Sequence, residues 1–238
     1  MFCTTVQADS VESQNIVGYT TISVKAGTKD IKGAPFVNAG GSTFNIQNIS
    51  LSNGTDGSDW IMVFDASTKT YATYYWFEEV YSDATYETSL GKPGWGNEYY
   101  IIEKELDPGQ GFWIRTGNDC DVTLPGQVLA ASDNSFEVSS GVKDIVACVY
   151  PTSLDIQDIT LSAGTDGSDW IMVFDADSKK YNTYYWFEEI YTDSTYETSL
   201  GKAGWGNEYY VLPCEIEPGQ GFWIRTGNNC TVTFPSPL

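Results

Sequence analysis

One block of this chain occurs twice, and everything else must be fitted around it. The block reads LSxGTDGSDWIMVFDA…TYYWFEE…TYETSLGKxGWGNEYY…PGQGFWIRTGNxC. Trp60 recurs as Trp170 and Pro108 as Pro218, both 110 residues on, so nothing is gained or lost between the landmarks. Of the 70 positions in 51–120, 54 are identical to their counterparts in 161–230. Whatever unit the first copy folds into, the second folds into as well. The expected division is a signal-peptide remnant and polar arm over 1–16, a first module over 17–126 and a second over 127–238. The linking stretch GQVLAASDNS is neither Pro-rich nor Gly/Ser-rich, so the modules are expected to pack closely.

The runs within each copy read as strands. VGYTTISV alternates, whereas WIMVFD is unbroken and suits a strand covered on both faces. TYATYYWF, NEYYII, GFWIRT and CDVTL follow, rich in β-branched and aromatic residues and divided by glycine and Asx turns. No amphipathic helix of useful length is visible. The expected fold class is all-β: two tandem homologous β-sandwich or barrel-like modules of about eight strands each.

Charge narrows the range of partners. With 32 acidic against 12 basic side chains the formal net charge is −20, which repels phosphate backbones and anionic membranes. Nucleic-acid partners are therefore not expected. Membrane insertion is not expected either, since no stretch reaches the roughly 18 apolar residues of a spanning helix. Histidine is absent, which removes the commonest general base and the usual zinc and copper sites.

The first residues, MFCTTVQA, look like the end of a secretory signal, with small residues Val6 and Ala8 before a cut, although a basic start and long apolar run are missing. The expected location is secreted, extracellular or at the cell surface. Cysteines fit an oxidising setting. Cys148 stands opposite Ala34 and Cys214 opposite Lys104, so these two are present together in one copy and absent together from the other. A Cys148–Cys214 disulfide is the simplest reason. Cys120 and Cys230 are equivalents whose pairing stays open: across modules, between molecules, or not at all.

The order VGY…F…TFxIxxI…PGQGFWxRT…VTLPGQV resembles an uncharacterised class of small secreted β-modules in exported proteins of Verrucomicrobia-type bacteria. The resemblance covers most of both copies, although VGYTTISV stands in the first alone, where the second has VLAASDNSFEV. It implies secretion and a β architecture, and it carries no activity.

Four sets of residues stand out as candidate sites. In TYATYYWFEE, alternation puts Tyr74, Trp76 and Glu78 on one face, with Tyr184, Trp186 and Glu188 as their twin. Since Ala72 becomes Asn182, water is expected to reach that face, making a ligand-binding aromatic platform suited to sugar rings. Glu78 and Glu79, as strand neighbours, point to opposite faces and cannot flank one glycosidic bond. The oxygen-rich loop GTDGSDW offers Asp56 and Asp59, repeated as Asp166 and Asp169. Calcium is the one ion it would suit, although such residues usually only form turns. No cofactor is otherwise required. In PGQGFWIRTG, Trp113 and Arg115 share a face, as do Trp223 and Arg225, and are expected at an interface or in an ion pair, within the chain as the simpler case.

Duplication, export, a tight join and the lack of catalytic chemistry point to a non-enzymatic secreted structural or surface protein. Its modules would assemble into, or decorate, an extracellular surface or filament by self-association. The alternative is a carbohydrate-binding protein that takes glycans on its Tyr/Trp platforms.

Overall fold

A run such as WIMVF, with no polar residue in either register, needs apolar partners on both sides, and the structure supplies them. The computed structural model describes residues 17–81, 92–97, 100–130, 132–190, 202–207 and 210–236. The signal-peptide remnant, Cys3 and the polar arm lie outside the described residues. In the N-terminal half the strands are β1 (Val17–Val24), β2 (Lys29–Gly33), β3 (Phe44–Asn45), β4 (Ser50–Leu51), β5 (Trp60–Asp65) and β6 (Thr70–Val80). They continue with β7 (Lys92–Asn97), β8 (Tyr100–Ile101), β9 (Glu105–Leu106), β10 (Gly111–Arg115) and β11 (Cys120–Gln127). The C-terminal half repeats them as β12 (Ser135–Val138), β13 (Lys143–Ala147), β14 (Leu154–Asp155), β15 (Thr160–Leu161), β16 (Trp170–Asp175) and β17 (Lys180–Ile190). Then come β18 (Lys202–Asn207), β19 (Tyr210–Val211), β20 (Glu215–Ile216), β21 (Gly221–Arg225) and β22 (Cys230–Thr233).

Each half thus has eleven strands among its described residues rather than about eight. The additions are two-residue pieces such as β3 with β9 and β14 with β20, too short to leave an alternating pattern in the sequence. The first half holds a three-stranded sheet β1-β11-β4, a six-stranded sheet β2-β10-β5-β6-β7-β8 and the ribbon β3-β9. The second half holds β12-β22-β15, β13-β21-β16-β17-β18-β19 and β14-β20. The ladders are antiparallel. Among the described residues there is no α-helix, only short 3-10 turns at Ile46–Asn48 and Ile156–Asp158. No helix among them is long and apolar enough to cross a membrane.

Strand alternation sorts β5 into two cores. Ile61 and Val63 join Val24, Phe112, Ile114, Val122 and Leu124 between the six- and three-stranded sheets of their own half. Trp60, Met62 and Phe64 face the other way, into a cluster that both halves build from Ile31, Trp113, Ile145, Trp223, Met172 and Phe174. Burying each such side chain is worth about 1.5–3 kcal/mol. The linking stretch adds to this packing. Leu129 lies in the core of the second half, and the Tyr150 hydroxyl donates to the Ala130 carbonyl at 3.3 Å.

Candidate functional site

The long strands β6 and β17 do not present the aromatic platform expected of them. Tyr74 is 8% exposed and belongs to the core of its own half, with Trp76 packed against it. Tyr184 and Trp186 repeat this arrangement. The cause is the GTDG loop, which folds back over the strand: the Gly57 N–H donates to the Trp76 carbonyl at 2.8 Å, and the Trp76 N–H to the Asp59 carbonyl at 3.0 Å. The Trp76 ring is then so close to Gly54 that a Cβ there would stand 2.8 Å from it, and Gly164 roofs Trp186 likewise. The tyrosines of these two strands that reach solvent are Tyr71, Tyr75, Tyr181 and Tyr185. Glu78 and Glu188 are exposed. A register irregularity between Phe77 and Val80 leaves Glu79 exposed beside Glu78, so strict alternation fails at that point.

The aspartates of the same loop organise backbone. Asp59 is fully buried, and its two carboxylate oxygens accept from the N–H groups of Thr55 at 2.5 Å and Gly117 at 2.6 Å. Asp169 does the same for Thr165 and Gly227. Asp56 accepts from the Glu78 N–H, and Asp166 from the Glu188 N–H. These oxygens tie the loop to β6 and to the turn after β10. Among the described residues no group of three or more potential ligands gathers for a metal ion.

Arg115 and Arg225 find carbonyls rather than carboxylates. Their Nη1 atoms donate to Ser58 and Ser168 at 3.4 and 3.3 Å. The nearby Asp59 and Asp169 already hold backbone amides, which leaves the loop carbonyl as the acceptor within reach.

The expected Cys148–Cys214 disulfide is not formed. All four described cysteines are free thiols. Cys148 is sheathed in the core, and burial pushes its thiol upward. Cys214 hydrogen-bonds the Tyr184 hydroxyl, with burial the larger influence on both groups. Cys120 and Cys230 are buried, each beside the serine of its own half, Ser52 and Ser162. Neither is placed to pair across the halves.

What the sequence did not reveal is the seam between the halves, and the repeated PGQG turn makes it. The Gly33 N–H donates to the Gly219 carbonyl at 3.0 Å, and the Ala147 N–H to the Gly109 carbonyl at 2.8 Å. Gly33 and Ala147 are counterparts, and so are Gly109 and Gly219, so the contact is two-fold in character: the same surface is used from both sides. A Cβ on Gly111 would meet Ile145 at 2.6 Å, and one on Gly221 would meet Ile31 at 2.7 Å. Glycine is required there because the opposing half sits where a side chain would go. The signal available beforehand was the glycine on each side of the repeated Gln.

Six aromatic rings close around this seam. Phe64 lies 5.1 Å from Tyr71 and, edge-on, 5.1 Å from Trp223 of the other half. Phe174 lies 5.1 Å from Tyr181 and 5.2 Å from Trp113. The circuit is completed by Trp113 and Trp223, whose indole N–H groups lie by the hydroxyls of Tyr71 and Tyr181 and offset part of the effect of burial on them. Burial raises both tyrosines above their ordinary value, so both stay protonated at neutral pH. Trp113 and Trp223 pack where the two halves meet. In comparisons with protein-family models, curated proteins and solved structures, nothing matches this chain.

Proposed function

We propose that this chain is a non-enzymatic structural or surface protein of the cell exterior. In this reading it consists of two tandem β-sandwich-like modules, joined face to face into one stiff unit that associates with copies of itself. The observation that carries it is the edge position of β1 among the described residues. That strand lies at the end of its sheet, with β11 as its neighbour on one side. It displays Val17 at 67% and Tyr19 at 72% exposure, above the other exposed large hydrophobics. A strand from a second copy would gain main-chain hydrogen bonds there and cover both side chains. Its counterpart β12 has four residues against eight, so the long edge belongs to one half. Pairing of β1 with β1 is two-fold and closes at a dimer, whereas adding a different strand of the neighbour continues without limit.

Light scattering and negative-stain electron microscopy of the purified protein test this. Dimers or regular polymers that revert to single copies in a Val17→Lys/Tyr19→Lys variant would support it. A wild-type protein that stays monomeric at high concentration would remove its basis. The sugar-platform alternative loses two of its named residues, since Tyr74 and Tyr184 are core side chains.

A further inference from the structure

The two-fold character of the seam fails in one ion pair, Lys25–Asp177, and a cleft lies on the side without it. Between the halves lies a cavity of about 420 Å³ lined by Phe64, Lys69, Tyr71, Lys143, Trp223 and Arg225, with Gly141 and Val142 at its rim. That volume lies within the range of small-molecule sites, roughly 300–1,000 Å³. Three of the chain's 12 cationic side chains line it. In a molecule with 32 acidic side chains a cation is expected to find a carboxylate, yet among the described residues the ion pairs are Lys25–Asp177 and Lys32–Asp30. No carboxylate lines this cleft.

The corresponding place on the other side of the seam is different. There Asp177 is the counterpart of Ser67 and Lys25 that of Ser139, two serines near the cleft in sequence that do not line it. Lys25 Nζ and Asp177 Oδ1 lie 2.6 Å apart and tie the halves together. The cavity that this ion pair lines also has Asp30, Asp175 and Glu215, and it shares Thr28 and Phe174 with the counterparts of the cleft's lining. The two sides carry the same cations, with Lys29, Lys179 and Arg115 the counterparts of Lys143, Lys69 and Arg225, and they differ in the ion pair that spans the seam on one side.

The cations of the basic cleft are held in place. Lys143 Nζ lies 5.2 Å from the centroid of the Trp223 ring. Arg225 is anchored on the Ser168 carbonyl. Lys69 sits at φ 59° in a turn closed by its N–H to the Asp65 carbonyl, a backbone conformation that favours glycine. Tyr71, 44% exposed, forms the accessible aromatic wall. Preorganised donors of one charge beside a ring face select an anion carried on a flat or apolar body.

We propose that this cleft binds a small organic anion, a carboxylate borne on a ring, with its charge between Lys69, Lys143 and Arg225 and its ring against Tyr71. The proposal does not depend on self-association. Calorimetric titration of the full chain with glucuronate and with benzoate tests it, with glucose and benzyl alcohol as neutral counterparts. Saturable one-to-one binding of an anion, absent for its neutral counterpart, is expected. Glucuronate or benzoate binding more tightly identifies a sugar or an aromatic ring as the body. Lys69→Gly, which suits the backbone at that position, and Lys143→Ser should each weaken binding at least ten-fold. Lys179→Gly, the matching change across the seam, should leave it unchanged. Absence of saturable binding by either anion, equal binding of the neutral compounds, or equal weakening by Lys179→Gly would each overturn the assignment.

Discussion

Lys32 Nζ lies 2.6 Å from Asp30 Oδ2, with both side chains buried, and the second half keeps the aspartate without the lysine. Asp144 is the counterpart of Asp30, and Val146 that of Lys32. Left without a cation, Asp144 is pushed up to about 6, first by burial and also by the nearby charge of Asp65.

A pH dependence follows. The folded Asp144 carboxyl gives up its proton near pH 6 and the unfolded one near its ordinary value of 3.8. Between these limits the folded state holds the extra proton, so this group's contribution to stability is greatest below about pH 4 and falls until about pH 6. The shift corresponds to about 3 kcal/mol. Asp144→Asn should stabilise the protein by up to about that amount at pH 7.5 and have little effect at pH 4. Urea denaturation at the two pH values measures this. Equal effects at both would show that Asp144 does not titrate this way.

The six-ring circuit makes a second prediction. Phe64→Ala and Trp223→Ala should each cost about 3–5 kcal/mol, because each empties space that the other half fills. The double variant should lose less than the sum, by about 1 kcal/mol for the edge-on pair. Since these rings join the halves, wild-type unfolding should be a single transition by fluorescence and by circular dichroism. Additive losses in the double variant would show that the two rings do not interact.

Asp59 provides a third. Asp59→Ala leaves the Thr55 and Gly117 amides without their acceptor and should cost about 2–4 kcal/mol. Added calcium should not change the melting temperature of the wild type, since the carboxylate already serves the backbone. A calcium-dependent rise in melting temperature would show that these oxygens are available to an ion after all.

Much of the fold was legible because strand periodicity is local. WIMVFD announced a strand covered on both faces, and Ile61 and Phe64 do face different cores. GFWIRT placed Phe112 and Ile114 on one side and Trp113 on the other, as found. The platform at Tyr74 and Trp76 failed for a nonlocal reason. Alternation gives the face of a strand but not what lies over it, and here the GTDG loop, some twenty residues earlier in the chain, covers the rings. The disulfide failed similarly, since co-variation between copies does not orient two sulfurs.

The sequence alone determined the duplication, the all-β character and the turn chemistry, since each depends on residue types within a few positions of one another. Only the tertiary structure decided that PGQG is a seam, that six aromatics close a circuit between the halves, and that an ion pair spans one side of that seam. Those features depend on which residues of one half meet which of the other. A difference as small as Ser67 against Asp177 becomes informative only once Lys25 is seen beside the aspartate.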